Sequence, residues 1–262
     1  MKPLSIVVLA AGKGKRMGNP DLPKVMASLD DRPLISYVLG QAYALDPSRV
    51  VVIVGHHGEL VRDFVAEHYP HTLFAWQREQ LGTGHAVMQA RQELGDADCD
   101  VLILSGDVPL ITGSTLHDFV RRHRESHSTV SVLSCTMPDP TGYGRIIRSD
   151  DGLFAAIVEQ RDATAEQQAV TEINSGMYVV DRRALFEALA SVGNANAQNE
   201  YYLTDVVGIV AGKGGTVSAF LAEDHSELQG INTMAELDHA LRTLHQRSRR
   251  RTSQLPGNRT PR

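Results

Sequence analysis

The chain has 262 residues, 42% of them hydrophobic and 5% aromatic, with 26 Lys and Arg against 31 Asp and Glu for a net charge of −5. That is enough apolar material for one large α/β domain, and no apolar run approaches the ~20 residues of a membrane-spanning helix. Six of the basic residues are arginines within 246–262, so the remainder carries 20 basic against 31 acidic side chains, the reverse of the basic face that a nucleic-acid-binding domain needs.

Residues 6–9, Ile-Val-Val-Leu, read as a first buried strand. After Pro33, the apolar residues Leu34, Ile35, Val38, Leu39, Ala42 and Leu45 recur at helical spacing. Residues 49–54 predict a second strand and 60–65 a second helix, then a strand at 71–76, a helix at 85–94, a strand at 101–104, a helix at 115–124 and a strand at 130–134. Such alternation implies an α/β fold with a mostly parallel central sheet and helices on both faces. Beyond Pro138 the segments shorten. Residues 144–148 and 153–159, separated by Asp150-Asp151-Gly152, predict a small antiparallel insertion. Strands at 173–180 and 216–221 and helices at 184–189, 203–210 and 233–245 complete the domain. The expected organisation is a catalytic domain over 1–232, a linker helix over 233–246 and a disordered arginine-rich tail over 247–262. Met1-Lys2-Pro3 leads straight into a strand and the two cysteines, Cys99 and Cys135, form no Cys-x-x-Cys pair, so a soluble cytoplasmic protein with structural thiols is expected. His123 and His127 lie one helical turn apart, with Glu125 at the wrong offset for a zinc-protease helix, and are expected on a solvated helix face.

The first strand opens into Gly12-Lys13-Gly14-Lys15-Arg16, followed by Leu22-Pro23-Lys24. Two glycines one residue apart leave backbone N–H groups free to converge on an anion, and Lys13, Lys15, Arg16 and Lys24 add four cations. It is neither of the two familiar phosphate loops. A P-loop needs four residues between its glycines, and the dinucleotide fingerprint would place glycine where Met17 stands. Two further signals fall at carboxyl ends of predicted strands, where open α/β sheets bind ligands: Gln77 through Gly84, and Asp107. A carboxylate opposite a cationic phosphate loop points to Mg²⁺.

The segments LAAGKG at 9–14, LPKV at 22–25, QLGTGHA at 80–86, GDVPL at 106–110, GYGRI at 142–146, EINSG at 172–176, EYYLTD at 200–205 and GIN at 230–232 stand in one order over residues 4–245. Together they resemble the N-terminal domain of the bacterial bifunctional N-acetylglucosamine-1-phosphate uridylyltransferase family. The resemblance implies a Rossmann-like nucleotidyltransferase that joins UTP and N-acetylglucosamine 1-phosphate into UDP-N-acetylglucosamine, a cell-wall precursor, and pyrophosphate. It further implies that Leu9, Ala10, Ala11, Gly12, Gly14, Lys24, Gln77, Gly82, Thr83 and Gly106 bind the nucleotide, with Gln77, Gly82 and Thr83 at the uracil. Arg16, Lys24 and Asp107 would be catalytic, Asp107 and Asn232 would hold Mg²⁺, and Gly144, Glu159, Asn174, Tyr202 and Thr204 would hold the sugar. A related enzyme using another sugar or base, and a catalytically silent sugar-nucleotide sensor, are the alternatives. Lys15, Ala27, Asp30-Asp31 and Thr233 depart from the family's usual residues at those positions, and none of them is an implied ligand. The family's hexapeptide-repeat acetyltransferase half, which builds its trimer, has no counterpart in these 262 residues, so neither acetyl transfer nor trimerisation is expected of them. Partners are expected to be small molecules, with no nucleic acid and no membrane.

Overall fold

The computed structural model describes residues 2–12 and 21–254. Its elements are strand β1 (Leu4–Ala10), a short 3-10 turn (Lys24–Met26), β2 (Ser28–Leu29), β3 (Arg32–Pro33), helix α1 (Leu34–Tyr43), β4 (Arg49–Val54), α2 (Gly58–His68), β5 (Leu73–Trp76), α3 (Thr83–Met88), α4 (Arg91–Leu94), β6 (Asp100–Ser105), α5 (Gly113–Glu125) and β7 (Val130–Thr136). There follow β8 (Arg145–Arg148), β9 (Phe154–Val158), α6 (Ala165–Gln168), β10 (Glu172–Asp181), α7 (Arg182–Leu189), α8 (Thr204–Gly212), β11 (Val217–Leu221) and α9 (Met234–Gln254).

The main sheet runs β11-β7-β10-β6-β1-β4-β5, with β8 paired to β10 and β9 to β8. The pairs β1–β4, β1–β6, β4–β5 and β7–β11 are parallel, whereas β10 is antiparallel to both β6 and β7. Period-2 alternation sends Ile6, Val8, Val50, Val52, Leu102 and Leu104 to one face, under α1, α2 and α5. Val7, Val51, Ile53, Val101 and Ile103 go to the other, under α3, α4, α7 and α8. Both faces are covered, so the central strands are apolar throughout. Thr112 and Asp181 start α5 and α7 as side-chain caps, accepting from Thr115 N and Ala184 N.

Three expectations change. The predicted helix at 85–94 is two short helices, α3 and α4, and the short β2–β3 hairpin and α6 had no sequence signal assigned to them. His123 is buried, at 3% exposure, with Nδ1 2.8 Å from Ser131 Oγ and Nε2 3.9 Å from Asp100; only His127 is solvated. The linker helix passes residue 246 and reaches Gln254, so residues 247–254, expected in a disordered tail, are helical. The reason is a side-chain stripe: Leu237, Ala240, Leu241 and Leu244 pack with Leu29, Leu34, Leu110 and Ile231 in a third apolar cluster. Arg247 extends that stripe, its Nη1 donating to the Leu110 carbonyl at 2.7 Å and its Nη2 meeting Asp224 Oδ2 at 2.9 Å and Ser226 Oγ at 3.0 Å. Residues 255–262 lie outside the described residues. Among the described residues, no helix is long and apolar enough to cross a membrane.

Candidate active site

Because β6, β1, β4 and β5 run in one direction, their carboxyl ends open on the same side of the sheet. A cavity of ≈ 330 Å³ lies there, and its walls come from the segments after three of these strands. Leu9, Ala10, Ala11 and Gly12 enter from β1, Gln77, Gln80, Gly82 and Thr83 follow β5, and Ser105 and Asp107 follow β6, with Lys24, Val25, Ala86 and Glu200 closing it. Nearly all of the nucleotide candidates therefore meet in one place. Gly106 does not line the cavity. Its N–H donates to the Leu9 carbonyl at 2.9 Å and a Cβ there would stand 2.9 Å from that oxygen, so it serves the close approach of β6 and β1. Gly14 and Arg16 lie outside the described residues.

At the cavity wall the Lys24 ammonium forms a close ion pair with Asp107 Oδ2 and donates to Asn232 Oδ1 at 2.8 Å. Both members of the ion pair are mostly buried, with 15% and 17% of their side chains exposed. The turn carrying Lys24 is held by buried Val25, and the loop carrying Asn232 is tied to Asp107 by Ile231 N donating to the Asp107 carbonyl at 2.9 Å. A carboxylate oxygen and an amide oxygen thus converge on one cationic group. Hard oxygen donors of this kind suit Mg²⁺. Among the described residues no three His, Cys, Asp or Glu side chains gather as a metal cage, so a cation here would complete its shell with substrate phosphate and water.

The wall carrying Gln77 and Gly82 is tied together by its hydrogen bonds. Gln77 is buried, its backbone N–H bonded to the Val54 carbonyl and its side-chain Nε2 donating to the Gly82 carbonyl at 2.9 Å, with His85 Nδ1 at 3.2 Å. The 81–84 turn is clamped by Tyr201 N to the Leu81 carbonyl and Gly84 N to the Tyr201 carbonyl, both at 2.8 Å, and by Leu203 N to Thr83 Oγ1 at 3.2 Å. Gly82 adopts φ +108° and leaves 2.6 Å between a hypothetical Cβ and the Tyr201 carbonyl.

The sugar candidates form a connected set beside this cavity. Asn174 N donates to the Gly144 carbonyl at 2.8 Å, Thr204 Oγ1 donates to Glu159 Oε1 at 3.1 Å, and a Cβ on Gly144 would lie 3.5 Å from Glu159 Oε2. A bulge in β10 between Asn174 and Met177 brings Gly176, at φ +77°, against Ser105 of the first cavity. Glu159, Tyr202 and Thr204 line a second cavity of ≈ 300 Å³ with Asp162 and Asp205. Burial raises the Glu159 carboxyl above the usual range, reinforced by the negative charges of Asp162, Asp205 and Glu200 and opposed by the Thr204 hydroxyl. The Asn174 amide is already committed, its Nδ2 donating to Tyr178 Oη at 2.6 Å and its Oδ1 accepting from Gly176 N at 3.0 Å. The Tyr202 hydroxyl is shared between Gln198 Nε2 at 2.9 Å and Asp162 Oδ2 at 3.3 Å.

The family model of the MobA-like NTP transferase domain matches residues 6–203, which carry β1, the Lys24 turn, the Gln77 loop, Asp107 and most of the sugar set. The chain belongs to that family. It is a nucleotidyltransferase, and the motif resemblance is borne out by its relatives. It is 44% identical over 241 residues to the bifunctional protein GlmU of Latilactobacillus sakei, covering 92% of this chain and 51% of the relative. It is 45% identical over 245 residues to that of Heliobacterium modesticaldum, covering 94% and 53%. The chain spans about half the length of these curated relatives. A UDP-glucose pyrophosphorylase solved with UDP-glucose shares the fold, with a TM-score of 0.74 at 16% identity over 94% of this chain and 99% of that one.

Within this nucleotidyltransferase, sequence reasoning missed Arg145. It is buried, at 1% exposure, donating to the Tyr143 carbonyl, to Gln160 Oε1 at 2.7 Å and to the Gln168 carbonyl at 3.3 Å. Gln160 Oε1 also accepts from Gly142 N at 3.2 Å, so this one guanidinium fixes the loop that presents Gly144. The signal was present in GYGRI, but nothing local distinguishes a buried arginine from a solvated one.

Proposed function

We propose that the enzyme transfers UMP from UTP to N-acetylglucosamine 1-phosphate, giving UDP-N-acetylglucosamine and pyrophosphate. The observation that carries this reading is the junction of Lys24, Asp107 and Asn232, whose Lys24 and Asp107 line the same cavity as Gln77, Gly82 and Thr83. An oxygen of the sugar phosphate attacks the α-phosphorus, a new P–O bond forms, and the bond from that phosphorus to the bridging oxygen breaks, so that pyrophosphate carries away the electron pair. The nucleophile is already an anion, so no protein base is required. Catalysis is positioning and charge neutralisation.

Lys24 supplies a cation beside the phosphates, and Arg16 a second one in this reading. Asp107 and Asn232 would hold Mg²⁺, which when bound supplies the divalent charge a triphosphate and a sugar phosphate require. Gln77, fixed by the Gly82 carbonyl and His85, would read the base edge, while Gly144, Glu159, Asn174, Tyr202 and Thr204 would surround the acetamido sugar. The site would work in the cytoplasm on small-molecule substrates.

Pyrophosphate release is the direct test, run over a matrix of nucleoside triphosphates and sugar 1-phosphates. UTP with N-acetylglucosamine 1-phosphate should give the highest kcat/KM. A polar pocket built for the acetamido group leaves buried donors and acceptors unpaired when it is absent, at about 1–3 kcal/mol each, so glucose 1-phosphate should be at least tenfold poorer. Equal kcat/KM for the two sugar phosphates would remove the sugar assignment and leave uridylyl transfer standing.

A further inference from the structure

We propose that Glu236 is a positioning residue for the metal site, holding the Asn232 backbone so that the Asn232 amide oxygen stays on the Lys24 ammonium, where the Asp107 carboxylate also converges. The inference rests on the reading of Asp107 and Asn232 as the metal-holding pair. Asn232 sits at the end of an irregular segment, two residues before α9, and its side chain is held firmly on one side only, its Oδ1 accepting from Lys24 Nζ at 2.8 Å. Its Nδ2 reaches the Gly230 carbonyl only at 3.5 Å. What fixes its backbone is one oxygen of Glu236: Oε2 accepts from Asn232 N at 2.6 Å and from Thr233 N at 2.8 Å.

The Thr233 half of this arrangement is ordinary helix capping. Thr233 Oγ1 accepts from Glu236 N at 3.2 Å while Glu236 reaches back to Thr233 N, the reciprocal pair that closes a helix N-terminus. The bond to Asn232 N is additional, and it is the shorter of the two. It extends the cap one residue upstream, onto the residue whose side chain accepts from Lys24, the partner of Asp107. With Ile231 N bonded to the Asp107 carbonyl, two consecutive N–H groups of this segment are anchored, one to each side of the junction. Partners that orient a metal ligand are commonly worth roughly 10- to 100-fold in metal affinity.

The test separates metal positioning from helix capping. Mn²⁺ affinity of the full-length, UTP-loaded protein is read from the loss of free Mn²⁺ EPR signal, against UTP alone, and thermal unfolding is followed in parallel. Glu236→Ala should weaken Mn²⁺ about tenfold or more. Glu236→Gln, which keeps an acceptor oxygen, should restore most of the affinity. Thr233→Ala removes the cap oxygen but not the Asn232 bond, and should lower the melting temperature while leaving Mn²⁺ affinity unchanged. Equal Mn²⁺ losses in Thr233→Ala and Glu236→Ala, or none in Glu236→Ala, would overturn the proposal. Asn232→Ala distinguishes the underlying reading: if it too leaves Mn²⁺ affinity intact, the metal assignment falls along with the proposal, whereas a loss there without one in Glu236→Ala sinks the proposal alone.

Discussion

Lys24 lies 83 positions from Asp107 and 208 from Asn232, yet the three side chains share one hydrogen-bonded junction. Asp107→Ala should lower kcat for pyrophosphate release by about 10²-fold or more, since in the proposed reading it removes an anionic metal ligand, and should also lower the thermal midpoint because it leaves the mostly buried Lys24 ammonium without its carboxylate. Turnover within threefold of the parent, or full parental activity in excess chelator, would disprove the assignment. Asn174 behaves differently. Its amide is the partner of the fully buried Tyr178 hydroxyl, whose proton burial holds far above the ordinary tyrosine range. Asn174→Ala should therefore cost about 1–3 kcal/mol of stability besides any effect on sugar use, because it strands a buried hydroxyl. Urea unfolding checks this, and an unchanged midpoint would show that the hydroxyl finds another partner.

At the scale of elements, the β2–β3 hairpin and α9 matter most, because they meet each other and the Asn232 segment. The hairpin turn is Asp30-Asp31, with φ of +50° and +61°, the backbone of a type I′ turn made without glycine. Asp31→Gly should raise stability by up to about 1 kcal/mol by relieving the left-handed conformation, measured as a higher melting temperature. No gain would mean that Asp31 has compensating contacts. Arg247 ties the far end of α9 to the Leu110 carbonyl and Asp224, so Arg247→Ala should destabilise by about 1 kcal/mol, a modest figure because Asp224 is half exposed. An unaltered melting temperature would show that the apolar stripe alone seats the helix. The motifs, strand alternation and first turns of most helices were legible locally. The length of α9 was not, since an arginine-rich sequence reads as solvated until its long apolar stems find a groove.

For the molecule as a whole, stability should depend on pH through a cluster at the opposite end of the sheet from the candidate active site. Burial lowers the His123 pKa below its ordinary 6.5, with Arg124 and Lys2 acting in the same sense and Asp100 and Asp181 opposing. Below about pH 6.5 the unfolded chain takes up a proton that the folded chain excludes, so stability is full above that pH and declines as pH falls. His123→Gln should flatten the decline below about pH 6.5 in a series of urea melts. Parallel curves for parent and variant would show that His123 is not the group responsible. Glu159 and Asp205, both raised by burial, act with the opposite sign, and the comparison of parent with variant cancels them.

The sequence by itself determined the α/β class, the two covered sheet faces and the loops that meet in the cavity at the carboxyl ends of the parallel strands. Those features follow from local periodicity, glycine placement and the rule that parallel strands open their carboxyl ends together. Tertiary structure alone decided that β10 enters the sheet antiparallel between β6 and β7, because strand order and direction depend on pairings remote in the chain. It alone buried His123 and Arg145, committed Asn174 to Tyr178, and set Glu236 beneath Asn232. Whether a polar side chain is solvated, paired or stranded depends on the neighbours that packing brings to it, and no spacing along the chain encodes them.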